Sequence, residues 1–162
     1  MAKYERFEQL PVWQAGIELA SRTYALTKKP EFRGYGSLRD QIERAAVSVS
    51  NNIAEGFERG TTQELLSFLY IARGSAGEVR SMVCLLERLG DFGDLKSEIS
   101  DLKSRAEGIS RQLRGWANSL QNSPIRGQRY LTEKARRADR SRREREEFLR
   151  SLRPTPGSAP AE

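Results

Sequence analysis

Residues 61–90 read TTQELLSFLYIARGSAGEVRSMVCLLERLG, and the fold class follows from their periodicity. Leu65, Leu69, Ala72, Ala76, Val79, Val83 and Leu86 alternate at spacings of 4 and 3, which gathers them into one apolar stripe on an α-helix. A second line, Phe68, Ile71, Ser75, Met82, Leu85 and Leu89, broadens that face, as expected of a helix that touches more than one neighbour. Thr61 followed by Glu64 is a capping box that opens the helix, and Gly90 is expected to close it. The small run Gly74, Ser75, Ala76, Gly77 lacks the lysine and the preceding strand of a phosphate-cradling loop, so close helix packing is its expected use. Such packing would have to offset about 1 kcal/mol for each glycine inside a helix.

The same reading extends in both directions. Upstream, Ser37 with Asp40 forms a second capping pattern and opens a helix expected to end at Gly56, with Leu38, Ile42, Ala45, Val49 and Ile53 on its buried face. Before it, a first helix starts near Pro11 or Val12 and runs to about Lys28, its apolar line being Trp13, Ile17, Ala20 and Tyr24. The loop KPEFRGYG, 29–36, joins the two. Downstream, the turn GDFGD leads to a fourth helix marked by Leu95, Ile99, Leu102, Ala106, Ile109, Leu113, Trp116 and Leu120, which stops before Pro124. Four amphipathic helices with short connections make antiparallel neighbours. The expected fold is therefore all-α, an up-down-up-down left-handed four-helix bundle over residues 1–123 with a basic C-terminal extension. Residues 124–153 have good helix formers and i, i+4 charge pairs, such as Glu133 with Arg137, but few apolar positions, so they are expected to form a helix without a core. Residues 154–162, PTPGSAPAE, have the composition of a disordered tail.

Composition narrows the function. The chain has 162 residues, no histidine and one cysteine. Without histidine the usual general acid and base, the Ser-His and Cys-His pairs and the commonest zinc ligand are all missing, so the protein is expected not to be an enzyme and to use no metal or cofactor. No apolar run reaches the roughly 20 residues of a membrane span and no signal peptide is visible, which makes the cytoplasm the expected location. The net charge of +6 is uneven: residues 1–123 carry +1 and residues 124–162 carry +5. A near-neutral body with a basic tail points to an acidic partner, nucleic acid first.

The second helix, QIERAAVSVSNNIAEGFERG (41–60), resembles the signature of the bacterial four-helix-bundle family that includes proteins encoded by intervening sequences inserted in large-subunit ribosomal RNA genes. FLYIARGSAGEVRSMVCLLERLG (68–90) is similar to that family's second signature, and FEQLPVWQAGIELA (7–20) to its usual start. Where many relatives carry proline this chain has Ser50, so no proline-linked bend is expected in the second helix. The resemblance spans residues 4–121 and implies a non-enzymatic homo-oligomer, a ring-shaped pentamer. A distantly similar bundle, the accessory variability determinant of diversity-generating retroelements, implies by analogy a link to nucleic acid and to a reverse transcriptase.

Several clusters are candidates for function. Asn52 and Glu55, one helical turn apart, are expected to share the Arg73 guanidinium of the next helix in a structural polar network, and any ligand there would be an anionic group on Arg73. A di-iron site built on Glu55 would need histidines that the chain lacks. Cys84 reads as a small hydrophobe, buried or half-buried, rather than a reactive thiol. Lys96, Lys103, Arg111 and Arg114 follow at spacings of 7, 8 and 3 along one side of the fourth helix. In the tail, Arg126, Arg129, Lys134, Arg136, Arg137, Arg140, Arg142, Arg143 and Arg145 form an arginine-rich segment suited to phosphate, with RNA favoured over DNA. Phe148, Leu149 and Leu152 have no use in binding phosphate and favour the alternative, a protein-interaction scaffold or an accessory subunit of a nucleic-acid enzyme such as a reverse transcriptase.

Overall fold

The computed structural model describes residues 4–122, 141 and 144–150. The chain divides into two compact units, Met1–Arg129 and Tyr130–Glu162. In the first, four long helices surround one core: α1 (Pro11–Thr27), α2 (Gly36–Glu58), α3 (Thr62–Leu86) and α4 (Lys96–Gln121). α2 packs against α1 and α3, and α4 against α3 and α1. Short 3-10 turns at Phe7–Gln9, Pro30–Phe32 and Gly90–Leu95 complete the described secondary structure of this unit. In the second unit residues 144–150 are helical and exposed. No helix among the described residues is long and apolar enough to cross a membrane.

α3 carries out the first stripe of its sequence pattern in full. All seven residues of its first stripe are buried, and Thr61 caps its start. The Glu64 amide donates to Thr61 Oγ1 at 3.2 Å, and the same hydroxyl donates to the Glu64 carboxylate at 2.8 Å. The second stripe is only partly covered: Ser75 is buried, but Ile71 and Leu85 are exposed. The helix ends at Leu86, four residues before Gly90, because the chain tightens into the 3-10 turn Gly90–Leu95.

The buried face of α1 departs from the expected line. Ala20 is buried as expected and Trp13 is half-buried against the core, but Ile17 and Tyr24 are exposed, and the main row facing the core is Val12, Gly16, Leu19, Thr23 and Leu26. Two physical facts permit this. A Cβ at Gly16 would stand 3.3 Å from Val49 and 3.4 Å from the Ser50 backbone, so the bare glycine gives α2 its place against α1. Thr23 tolerates full burial because its hydroxyl donates to the Leu19 carbonyl at 2.8 Å.

α2 also begins and ends differently from its expected caps. It starts at Gly36, with Tyr35 as N-cap and no side-chain cap, while Asp40 lies beside Arg39 rather than acting in a capping box with Ser37. It runs past Gly56 to Glu58, and Gly56 is a buried interior residue. The helix is continuous through Ser50, whose hydroxyl donates to the Val47 carbonyl at 3.1 Å. One end of the unit is closed by aromatic residues from both connecting loops: Phe92 meets Phe32 at 4.9 Å and Tyr35 at 5.0 Å between ring centroids, and Tyr35 donates to Asp91.

Candidate nucleic-acid interface

α4 buries Ile99, Leu102, Ala106, Ile109, Leu113 and Ala117, which fixes the side it leaves outward. Trp116 and Leu120, expected in the buried line, are only half-buried, since Ala117 takes the place against the core. Of the four basic residues singled out on this helix, Lys96 is exposed at its start and Arg114 is exposed near its end. Lys103 is half-buried, its ammonium 2.6 Å from Glu87 at the end of α3. The hydrogen bond to Glu87, with the Cys84 thiol nearby, holds its pKa above the ordinary lysine value. Arg111 pairs with Glu107 one turn earlier at 2.8 Å. The stripe exists, but two of its four charges are met by carboxylates.

Arg145 is exposed on the helical segment 144–150, together with Phe148 and Leu149. Arg126, Arg129, Lys134, Arg136, Arg137, Arg140, Arg142, Arg143 and Leu152 lie outside the described residues.

The structure does not gather Asn52, Glu55 and Arg73. Asn52 Nδ2 donates to the Ser48 carbonyl at 2.7 Å and to the Ser48 hydroxyl at 2.9 Å, one turn back on its own helix. Glu55 pairs with Arg59 at 2.5 Å, also within α2. Arg73 makes no hydrogen bond or ion pair among the described residues. Local i, i+4 partners win because they need no reach across to another helix. The network that does join two helices is one the sequence left unseen: Ser48 and Ser75 hydroxyls meet at 2.9 Å, and Ser75 also donates to the Ile71 carbonyl at 3.2 Å. These serines stand at the base of an open groove of about 590 Å³ whose walls include Arg44, Ile71, Glu78 and Met82.

Among the described residues, Gly74 and Gly77 are not sites of close packing. A Cβ at either would meet nothing within 4 Å, since both stand on the exposed side of α3 while Ser75 and Ala76 face inward. Cys84 is half-buried, and Lys103 of α4 is its cationic neighbour, a contact between helices that local sequence does not reveal. Among the described residues no group of three or more His, Cys, Asp or Glu is placed to hold a metal ion.

Residues 8–115 match the family model described as 23S rRNA-intervening sequence protein. The chain belongs to that family. A crystal structure of a protein with unknown function from the S23 ribosomal protein family of Bacteroides thetaiotaomicron VPI-5482 shares the fold, with a TM-score of 0.58 and 21% sequence identity over 65% of this chain and 97% of that one. No curated protein matches the chain.

Proposed function

We propose that this member of the 23S rRNA-intervening sequence protein family is a non-enzymatic, cytoplasmic, homo-oligomeric protein that binds nucleic acid, RNA more than DNA, through its basic C-terminal segment and the basic side of α4. The observation that carries the reading is the division of charge: residues 124–162 carry +5 and residues 1–123 only +1. Arginines supply most of that excess, and phosphate contacts of this kind bind without strong sequence preference. The family's name, which refers to sequences within 23S ribosomal RNA, supports RNA as the polymer.

The proposed architecture is an up-down-up-down, left-handed four-helix bundle. Support comes from contacts that run in opposite chain order along neighbouring helices: Tyr70 meets Gln121 and Glu87 meets Lys103 between α3 and α4, while Gly56 faces Phe68 and Ser48 meets Ser75 between α2 and α3. Assembly is supported by exposed apolar residues on two different faces, Ile17 and Tyr24 on α1 and Tyr70, Ile71 and Leu85 on α3. A contact between unlike faces is heterologous and generates rings when it closes. The pentamer implied by the sequence resemblance is the ring we propose, and five linked binding segments would multiply a weak contact.

The test is a salt titration of RNA binding by fluorescence anisotropy, comparing the full chain with a chain truncated after Asn122. With about six phosphate contacts on a single strand, log K is expected to fall with log salt at a slope near −4, and truncation should flatten it. Binding that is absent, or independent of salt, contradicts the reading.

A second reading rests on Phe148 and Leu149, exposed at 62% and 51% on the helical segment 144–150. There the chain is a scaffold or accessory subunit of a nucleic-acid enzyme such as a reverse transcriptase, docking through these side chains and Leu152. Capture of a protein partner that needs Phe148 and survives nuclease would select it.

A further inference from the structure

Tyr70, Arg73, Gly77, Arg80, Cys84 and Glu87 follow one another along α3 at spacings of 3 and 4, and so stand in one row. Three of the six touch α4. Gln121 Nε2 donates to the Tyr70 hydroxyl at 2.8 Å, Glu87 holds Lys103 at 2.6 Å, and Cys84 lies beside Lys103. Arg73, Gly77 and Arg80 are therefore carried along the α4 flank of α3. On α4, Lys96 stands seven residues before Lys103 and Arg114 eleven after it, in the same row by the same periodicity. Arg88 and Lys96 line a single depression of about 470 Å³ at the turn between the helices.

The two flanks of α4 differ in how their charges are met. Toward α1, Arg22 and Arg105 both reach Asp101, and Lys29 reaches Glu98. Toward α3, Arg73, Arg80, Arg88, Lys96 and Arg114 make no ion pair among the described residues. Arg80 adds a more specific sign: its Nε is buried and has no hydrogen-bond partner among the described residues. A buried donor without an acceptor is unfavourable, and an anionic oxygen bound there would relieve it. Gly77, between Arg73 and Arg80 in the row, presents bare helix backbone, since a Cβ there would meet nothing within 4 Å. A glycine in a helix interior weakens it, and nothing among the described residues uses the space.

We propose that the α3–α4 flank is a track for the sugar–phosphate backbone of single-stranded nucleic acid. Phosphates meet Arg73 and Arg80 across the notch at Gly77, with Arg114 of α4 level with the notch by the antiparallel pairing, and the strand continues along Arg88 and Lys96 at the end nearer the turn. Seven residues of helix separate Arg73 from Arg80 by about 10 Å along the axis, and Lys96 from Arg114 is about 27 Å, room for several nucleotides. The proposal rests on the nucleic-acid reading above and gives the helical unit a binding surface of its own, apart from the C-terminal segment.

The experiment measures anisotropy of a labelled oligouridylate of about 20 nucleotides with the full, nuclease-treated chain, its Arg73→Gln/Arg80→Gln variant and its Gly77→Leu variant, each at several salt concentrations. The double variant should bind about tenfold more weakly at low salt, with a slope shallower by about 1.4, the share of two contacts. Gly77→Leu should weaken binding about threefold or more while its thermal midpoint stays at or above that of the parent, because the notch is filled without an internal clash. Wild-type binding with both variants unchanged overturns the track and leaves the tail-based reading standing. A change in light-scattering mass with no change in RNA affinity also overturns it, assigning the row to a contact between copies. Failure of the wild type itself to bind the RNA removes the track together with the reading beneath it.

Discussion

Gly56 of α2 lies so close to Phe68 of α3 that a Cβ on the glycine would stand 2.7 Å from the Phe68 Cβ. No rotamer of Phe68 relieves such a contact, because its Cβ is fixed to the α3 backbone, so the two helices would have to separate. Gly56→Ala is expected to destabilise the protein by about 1–3 kcal/mol, the usual cost of overpacking. Gly74→Ala should do the reverse and stabilise it by about 0.5–1 kcal/mol, since the new methyl meets nothing among the described residues and the helix gains propensity. Urea unfolding of the two variants measures both signs together.

Phe92 is 1% exposed although it sits in the turn GDFGD between two helices. Its ring joins Phe32 and Tyr35 and so ties the α1–α2 connection to the α3–α4 connection. Phe92→Ala should cost about 3–5 kcal/mol, as for a core aromatic, and thermal melting of that variant decides whether the end of the unit is sealed in this way.

The Ser48 and Ser75 hydroxyls form a pair that a double-mutant cycle can isolate. Either serine changed alone to alanine leaves the other with one partner fewer, at about 1 kcal/mol, while the double change should cost less than the sum of the two. Strict additivity would show that the pair contributes nothing.

Stability against acid follows from carboxylates, because the chain has no histidine. Asp101 is held below its usual pKa by the hydrogen bond from Arg105, with the charges of Arg105 and Arg22 adding to it, and Glu98 is lowered chiefly by its hydrogen bond to Lys29. A depressed folded-state pKa gives stability that is complete above the unfolded value, about 4, and is lost as pH falls through the lower folded value. Stability should therefore be level between about pH 5 and 7 and fall below about pH 4, and the fall should be smaller in Asp101→Asn/Glu98→Gln. Urea midpoints across this range provide the check, and an equal loss in the variant would remove these two groups from the explanation.

How far the sequence could be read depended on which residue types filled each buried row. α3 was legible because its row consists only of leucine, valine and alanine. α1 was not, since Gly16 and Thr23 occupy core positions without looking apolar, while Ile17 and Tyr24 look apolar and stand outside. Phe92 was hidden by the glycines and aspartates around it, and Gly56 imitated a helix end because contact with another helix, not a change of backbone direction, requires it. At the candidate interface the spacing of Lys96, Lys103 and Arg114 was visible, but the neutralisation of Lys103 by Glu87 was not, since it depends on α3 lying alongside. Arg73 looks like a partner for Asn52 and Glu55 in sequence for the same reason: which flank of α3 meets α4 is a tertiary fact that spacing alone does not contain.

Whether this protein works as an oligomer carrying nucleic acid, as proposed, is decided by light-scattering mass with absorbance at 260 and 280 nm, recorded before and after nuclease. A mass near five chains is expected after treatment and, before it, an absorbance ratio raised by copurifying nucleic acid. A monomer whose ratio is that of pure protein from the start would contradict it.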